Sequence, residues 1–122
     1  QGSSDTPVFS LTTFQKLHTN LGSHAKRLMP ELTSTFHADA QRLFSEAYQA
    51  IENGIPLDLQ RAAHTLKSNS ATFGGMAMAA LAREIEARAR AGNLEGTSNL
   101  LRQLEEEYAK FKAAMDQIDP GA

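Results

Sequence analysis

Apolar residues recur at helical spacing along almost the whole chain, and no alternating run is long enough to pair as a strand. Leu11, Phe14, Leu17 and Leu21 form the first series, with Ser10 placed to cap it because its hydroxyl can accept from a free first-turn N–H. Leu21-Gly22 predicts its end. Ser23 offers a second cap, after which Leu28, Leu32, Phe36, Phe44, Ala47, Tyr48 and Ile51 continue an apolar face to a stop at Asn53-Gly54. Pro30 interrupts this stretch, and the missing N–H predicts either a kink there or a helix whose first turn begins at Pro30. A second break is expected near His37 to Asp39. The next helix begins near Leu57, after the short connection Ile55-Pro56, and runs to Gly74-Gly75. Met78, Leu81, Ala82, Ile85 and Ala89 then lead to Gly92-Asn93. The longest clean series is Leu101, Leu104, Tyr108, Phe111, Met115 and Ile118, the seam of an antiparallel bundle, with Glu105, Glu106, Lys110 and Lys112 on its polar side and Asp119-Pro120-Gly121 as its stop.

This pattern predicts an all-α fold: an antiparallel up-and-down four-helix bundle with a shorter helix or helices at its N-terminal end. Short connections make neighbouring helices antiparallel. Residues 10–119 are expected to form the domain and residues 1–9 a linker or cloning remnant, because Gln1-Gly2-Ser3-Ser4 is polar and lacks the regions of a signal peptide.

The helix from Leu57 to Phe73 organises the rest. At about 100° per residue, Leu59, Ala62, Ala63, Leu66, Ser70 and Phe73 share one side, the apolar stripe a bundle helix buries. The other side carries Leu57, Gln60, Arg61, His64, Lys67, Ser68, Ala71 and Gly75. An imidazole thus projects to solvent from the middle of a rigid helix, flanked by small side chains and by the charge of Lys67 one turn on.

Composition narrows the function classes. At 122 residues, 41% hydrophobic and 21% charged, the chain makes one water-soluble domain, and no run approaches the roughly 20 apolar residues of a membrane span. A formal charge of −2 argues against general nucleic-acid binding. The absence of cysteine excludes disulfides, thiolate catalysis and cysteine zinc sites, and fits a cytoplasmic protein. His18, His24 and His37 lack metal-ligand spacing and read as partly exposed helix residues, so no metal site is expected. No phosphate-cradling glycine loop or nucleophile elbow is present, which leaves no visible ATP site.

The string His64-Thr65-Leu66-Lys67, followed by Ser70, Ala71 and the helix-ending Gly74, resembles the signature of histidine-containing phosphotransfer (HPt) domains, which reads His-x-Leu-Lys-Gly followed by small residues. Ser68 departs from it, standing where the family usually has glycine. The helical pattern extends the resemblance over most of the chain. It is strongest to the terminal module of bacterial hybrid sensor histidine kinases, which implies a parent anchored in the inner membrane; a free-standing cytoplasmic protein is equally compatible.

A neutral imidazole near pH 7 can attack an activated phosphoryl group and carry it as a phosphoramidate. The resemblance implies that His64 does so in a phosphorelay, accepting from and donating to response-regulator receiver domains. It implies too that the receiver supplies Mg²⁺; the domain itself is expected to bind no cofactor, nucleic acid or membrane and to act as a monomer. Lys67 then offsets phosphoryl charge, and Leu57, Gln60, Arg61, Ser68, Ala71 and Gly75 form the docking face. Nε2, the outer nitrogen, is expected to react; Glu84 and Glu86 are candidates to hold the other. The alternative is a helical interaction module that uses the same face without phosphoryl chemistry.

Overall fold

The computed structural model describes residues 7–118, with the backbone alone at residue 118. The Gln1–Ser4 segment and the Asp119-Pro120-Gly121 stop lie outside the described residues, as does the side chain of Ile118. The chain forms α1 (Leu11–Leu21), a 3-10 turn (Gly22–His24), α2 (Ala25–Asn53), α3 (Pro56–Phe73), α4 (Met76–Arg90) and α5 (Thr97–Ile118), with no strand among the described residues. Helices α2 to α5 pack in sequence order, and α5 returns to α2 to close an antiparallel four-helix bundle. Helix α1 packs on α2 and α3 at one end.

The predicted inner faces are largely the buried ones. All six stripe residues of α3 are buried, as are Leu101, Leu104, Tyr108, Phe111 and Met115 on α5. Four-residue and three-residue steps keep these side chains on one face, where they meet Phe36, Leu43, Phe44 and Ala47 of α2 and Met78, Ala82 and Ile85 of α4. Met78 and Ser70 meet inside, with the Ser70 hydroxyl 3.9 Å from the Met78 sulfur.

Helix α2 departs from expectation at its start. It begins at Ala25, takes His24 as N-cap without a side-chain bond, and so leaves Ser23 in the 3-10 turn rather than at a cap. Pro30 lies inside the helix, where its ring nitrogen cannot donate to Lys26; that residue is exposed, so water can take the freed carbonyl. The inner positions in these turns are Ala25 and Met29, while Leu32 is exposed. The helix also continues unbroken through His37 to Asp39, because Phe36 and Ala40 are both core residues and hold that turn against the bundle.

The folded unit starts before Ser10. Residues 7–9, read as linker from sequence, pack against the α3–α4 turn: the Pro7 carbonyl accepts from Ala77 N at 2.9 Å and Ser10 N donates to the Gly74 carbonyl at 2.6 Å. Phe9 packs between Phe14 and Phe111 with its ring tilted to both, ring centroids 5.6 Å from each. Ser10 caps α1 as expected, accepting from Thr13 N at 3.2 Å. Proline 7 has no side-chain donor to reveal this role, since what it contributes is a backbone oxygen for an otherwise unpaired N–H at the start of α4.

Gly74 makes this junction possible. Its φ of +91° is left-handed, and a Cβ there would stand 2.6 Å from the Ser10 carbonyl oxygen. Gly74→Ala is expected to cost at least about 1–3 kcal/mol through left-handed strain, plus the displacement of Ser10. The check is thermal unfolding followed by circular dichroism: a lower midpoint with native helicity retained at low temperature. An unchanged midpoint would show that residues 7–10 do not constrain the turn.

Candidate functional site

Helix α3 reaches its site with one face buried and the other open. Leu59, Ala62, Ala63 and Leu66 fix its rotation, so His64, between Ala63 and the buried Leu66, must point out; its side chain is 62% exposed. Leu57, Arg61, Ser68 and Ala71 are exposed on the same side, and Gln60 is partly so. The small Ser68, one turn beyond His64, is exposed, and its carbonyl accepts from the Thr72 hydroxyl at 3.0 Å. Gly75 is not on this face. Helix α3 ends at Phe73, so a helical wheel no longer applies at residue 75, and Gly75 is buried, with a Cβ position 3.3 Å from the Phe111 ring.

The centre of the site is on α4. Glu86 follows Ile85 on the stripe that contains Ala82 and Ala89, and its side chain is only 4% exposed. Its Oε2 lies 2.8 Å from His64 Nδ1 and accepts from an Arg90 guanidinium nitrogen at 2.9 Å; its Oε1 accepts from Lys67 Nζ at 2.8 Å. Burial by itself would raise the carboxyl pKa, but the hydrogen bonds and charges of Lys67 and His64 outweigh it and hold Glu86 below the ordinary value. An ionised carboxylate can only accept, so Nδ1 of His64 carries the proton. Nε2 is the outward nitrogen, and it carries the free lone pair whenever the ring is neutral.

Glu84, the other candidate for this position, points away and pairs with Arg88 at 3.3 Å. Arg90, which sequence reasoning did not single out, belongs to the cluster through its i, i+4 pair with Glu86. Both assignments had a signal in the sequence. Gly75 lies midway between His64 and Glu86, so an antiparallel hairpin turning there sets the two opposite each other, and Arg90 is one turn beyond Glu86. A shallow groove beside the ring is lined by Leu57, Gln60, Arg61, Thr65 and Arg90 together with His64 and Glu86.

The other histidines sit elsewhere. His18 and His24 are exposed, with His24 Nδ1 3.3 Å from Arg27. His37 is half-buried and bonds the Tyr108 hydroxyl through Nδ1 at 2.7 Å; burial lowers its pKa, the charge of Lys112 lowers it further, and Asp116 partly offsets both. Among the described residues, no group of three or more His, Asp or Glu side chains could hold a metal ion, and no helix is long and apolar enough to cross a membrane.

A solvent-facing imidazole, oriented through one nitrogen, thus stands on a helix of an antiparallel bundle with cations at its side. The Hpt domain family profile matches residues 31–114, and the chain belongs to that family. Among solved structures, histidine-containing phosphotransfer protein B (HptB) from Pseudomonas aeruginosa PAO1 is similar at a TM-score of 0.82 and 25% identity, covering 91% of this chain and 93% of that one. MtHPt2, a histidine-containing phosphotransfer protein from Medicago truncatula, shares the fold at a TM-score of 0.75 and 22% identity, covering 90% of this chain and 76% of that one. No curated protein matches the chain by sequence. The domain's role is histidine phosphotransfer in phosphorelay signalling, in which response-regulator receivers are the partners.

The lowered pKa of Glu86 has a consequence for stability. Such a group stabilises the fold at pH above the ordinary carboxylate range, and the contribution is lost as pH falls through the folded-state value. Acidification below about pH 5 is therefore expected to lower the melting temperature, and Glu86→Gln to show a lower midpoint at neutral pH with a shallower acid limb. Parallel acid limbs in melting curves of the two proteins would show that Glu86 contributes no such linkage.

Proposed function

We propose that His64 is the residue that accepts and donates the phosphoryl group. The observation that carries this is the orientation of its ring: Nδ1 is bound to Glu86 and Nε2 faces solvent from a side chain 62% exposed. The Nε2 lone pair attacks phosphorus of a receiver's aspartyl phosphate, the N–P bond forms, and the P–O bond breaks with its electron pair returning to the aspartate carboxylate. The reverse step passes the group to another receiver. Lys67 and Arg90 lie within the same cluster, and with one Glu86 carboxylate between two cations and a neutral ring the site retains one net positive charge to meet a phosphoryl dianion.

Leu57, Gln60, Arg61, Ser68 and Ala71 form the docking face around the ring, where the short side chains of Ser68 and Ala71 let a receiver's own pocket close over Nε2. Mg²⁺ is supplied by the receiver, whose acidic pocket needs it to offset charge on the transferring group. The domain acts as a monomer on the cytoplasmic side, free-standing or as the terminal module of a hybrid sensor kinase.

The test is incubation with a phosphorylated receiver. His64→Gln is expected to fold, since the glutamine amide can donate to Glu86 in place of Nδ1 while Lys67 and Arg90 still pair it, and to accept no label. The wild-type product should be acid-labile and comparatively base-stable, the signature of a phosphoramidate; label at another residue would end the assignment. Ser68→Gln, which places a long side chain beside the ring, is expected to abolish receiver-dependent labelling with the melting curve preserved. Normal transfer by Ser68→Gln would place the docking face elsewhere.

A further inference from the structure

The α1 end of the bundle holds a second oriented imidazole, which the cluster around His64 does not use. His37 stands on α2 beside the rings of Phe36 and Tyr108, with centroids 5.5 and 5.7 Å away, and its Nδ1 lies 2.7 Å from the Tyr108 hydroxyl on α5. A phenol gives up a proton more readily than a neutral imidazole N–H does, so in the neutral pair the hydroxyl donates and Nδ1 accepts. Burial raises the Tyr108 pKa and keeps that proton on the phenol. The bond therefore ties α2 to α5 only while Nδ1 has a lone pair.

The same ring borders a cavity of about 260 Å³ between α1, α2 and α5. Phe14 of α1 forms one wall, while Thr33 and Ser34 of α2 and Lys112 and Asp116 of α5 make much of the rest polar. The Thr33 hydroxyl is buried and has no partner among the described residues. Both charged groups that face the ring come from α5. Burial opposes a positive charge on His37 most, Lys112 opposes it too, and Asp116 favours it. On α2 itself Asp39 is turned to Arg42 at 3.5 Å, and on α1 Lys16 and His18 are exposed.

We propose that His37 is an acid-sensitive latch on α1. Neutral, the ring accepts from Tyr108 and closes α2 against α5. Protonated, it has no lone pair for the hydroxyl, and the imidazolium turns into the cavity toward the Asp116 carboxylate. There it meets the buried Phe14 ring, and a cation with its water does not fit beside a closed α1. Loosening α1 lets the ring titrate at its ordinary value of 6.5, whereas the closed form holds it lower. The closed form therefore loses stability as pH falls through 6.5, and loses no more once pH is below the lowered value. Ser10 both caps α1 and bonds the Gly74 carbonyl, so the change reaches the α3–α4 turn. The His64 cluster shares no residue with the cavity.

Two measurements test this. In the first, the His37 ring is titrated by the chemical shift of its Cε1 proton. The wild-type midpoint is expected below 6.5. Tyr108→Phe removes the partner of the neutral ring and is expected to raise the midpoint; Asp116→Asn removes the partner of the protonated ring and is expected to lower it further. A wild-type midpoint at or above 6.5, or an unchanged midpoint in either variant, would overturn the latch. The second compares amide exchange in α1 between wild type and His37→Gln, whose amide oxygen still accepts from Tyr108 but takes up no proton. Protection is expected to match at about pH 7.5, where the ring is neutral in both the closed and the loosened form. At about pH 5.5 wild-type α1 is expected to exchange faster than the variant, by up to about tenfold for each pH unit between the ordinary and the lowered value. Comparison at one pH removes the intrinsic pH dependence of exchange. Equal protection of α1 in the two proteins at the lower pH would overturn the proposal.

Discussion

A single carboxylate placed between α3 and α4 determines what this surface can do. Glu86 sits where the α4 stripe would otherwise carry an apolar residue, and a charge almost fully withdrawn from water must be matched by partners or removed by protonation. Three side chains match it. His64, Lys67 and Arg90 each reach one of its oxygens at 2.8 to 2.9 Å, and each keeps its own outer part in solvent. The result is an organised polar cluster with a buried anchor and an exposed outer end, in which the imidazole is oriented without being covered.

That anchor depends in turn on helix register. The chain reverses at Gly74 and Gly75 with almost no loop, so the pairing of α3 with α4 is set by counting outward from the turn, and a one-residue slip would rotate Glu86 by about 100° away from His64. The Ser10 hydrogen bond to the Gly74 carbonyl and the Phe111 ring against Gly75 hold this reversal from outside and inside. Precision at the ring is therefore derived from packing ten residues away, and the long α3–α4 contact transmits it.

Much of this was legible in the sequence, and the failures have physical causes. The buried stripe of α3 and the seam of α5 followed from spacing because both helices lie on one core and face it throughout their length. Spacing served less well in the first turns of α2, where α1 changes which side is covered: Ala25 and Met29 are buried, while Leu28 is half-buried and Leu32 exposed. Gly75 was misplaced by extending a helical wheel past the residue that ends the helix. The choice between Glu84 and Glu86 needed the hairpin register, which periodicity along a single helix does not contain, and Arg90 entered only once Glu86 was known to need partners. Pro7 to Phe9 carry no helical pattern, so backbone bonding of that segment left no trace in the order of side chains.

The docking of Pro7 to Ser10 on the α3–α4 turn also settles the geometry of attachment. Any polypeptide joined upstream of Pro7 emerges at the Gly74 end of α3, about 15 Å along the helix axis from His64 at 1.5 Å per residue. A flexible linker of about ten residues has a root-mean-square span of similar size, and a receiver on such a tether would meet the ring at an effective concentration in the millimolar range. If His64 is the carrier as proposed, a covalently attached receiver and one diffusing in from solution would compete on unequal terms for the same imidazole, with tether length adding to surface chemistry in deciding how often the attached one occupies it.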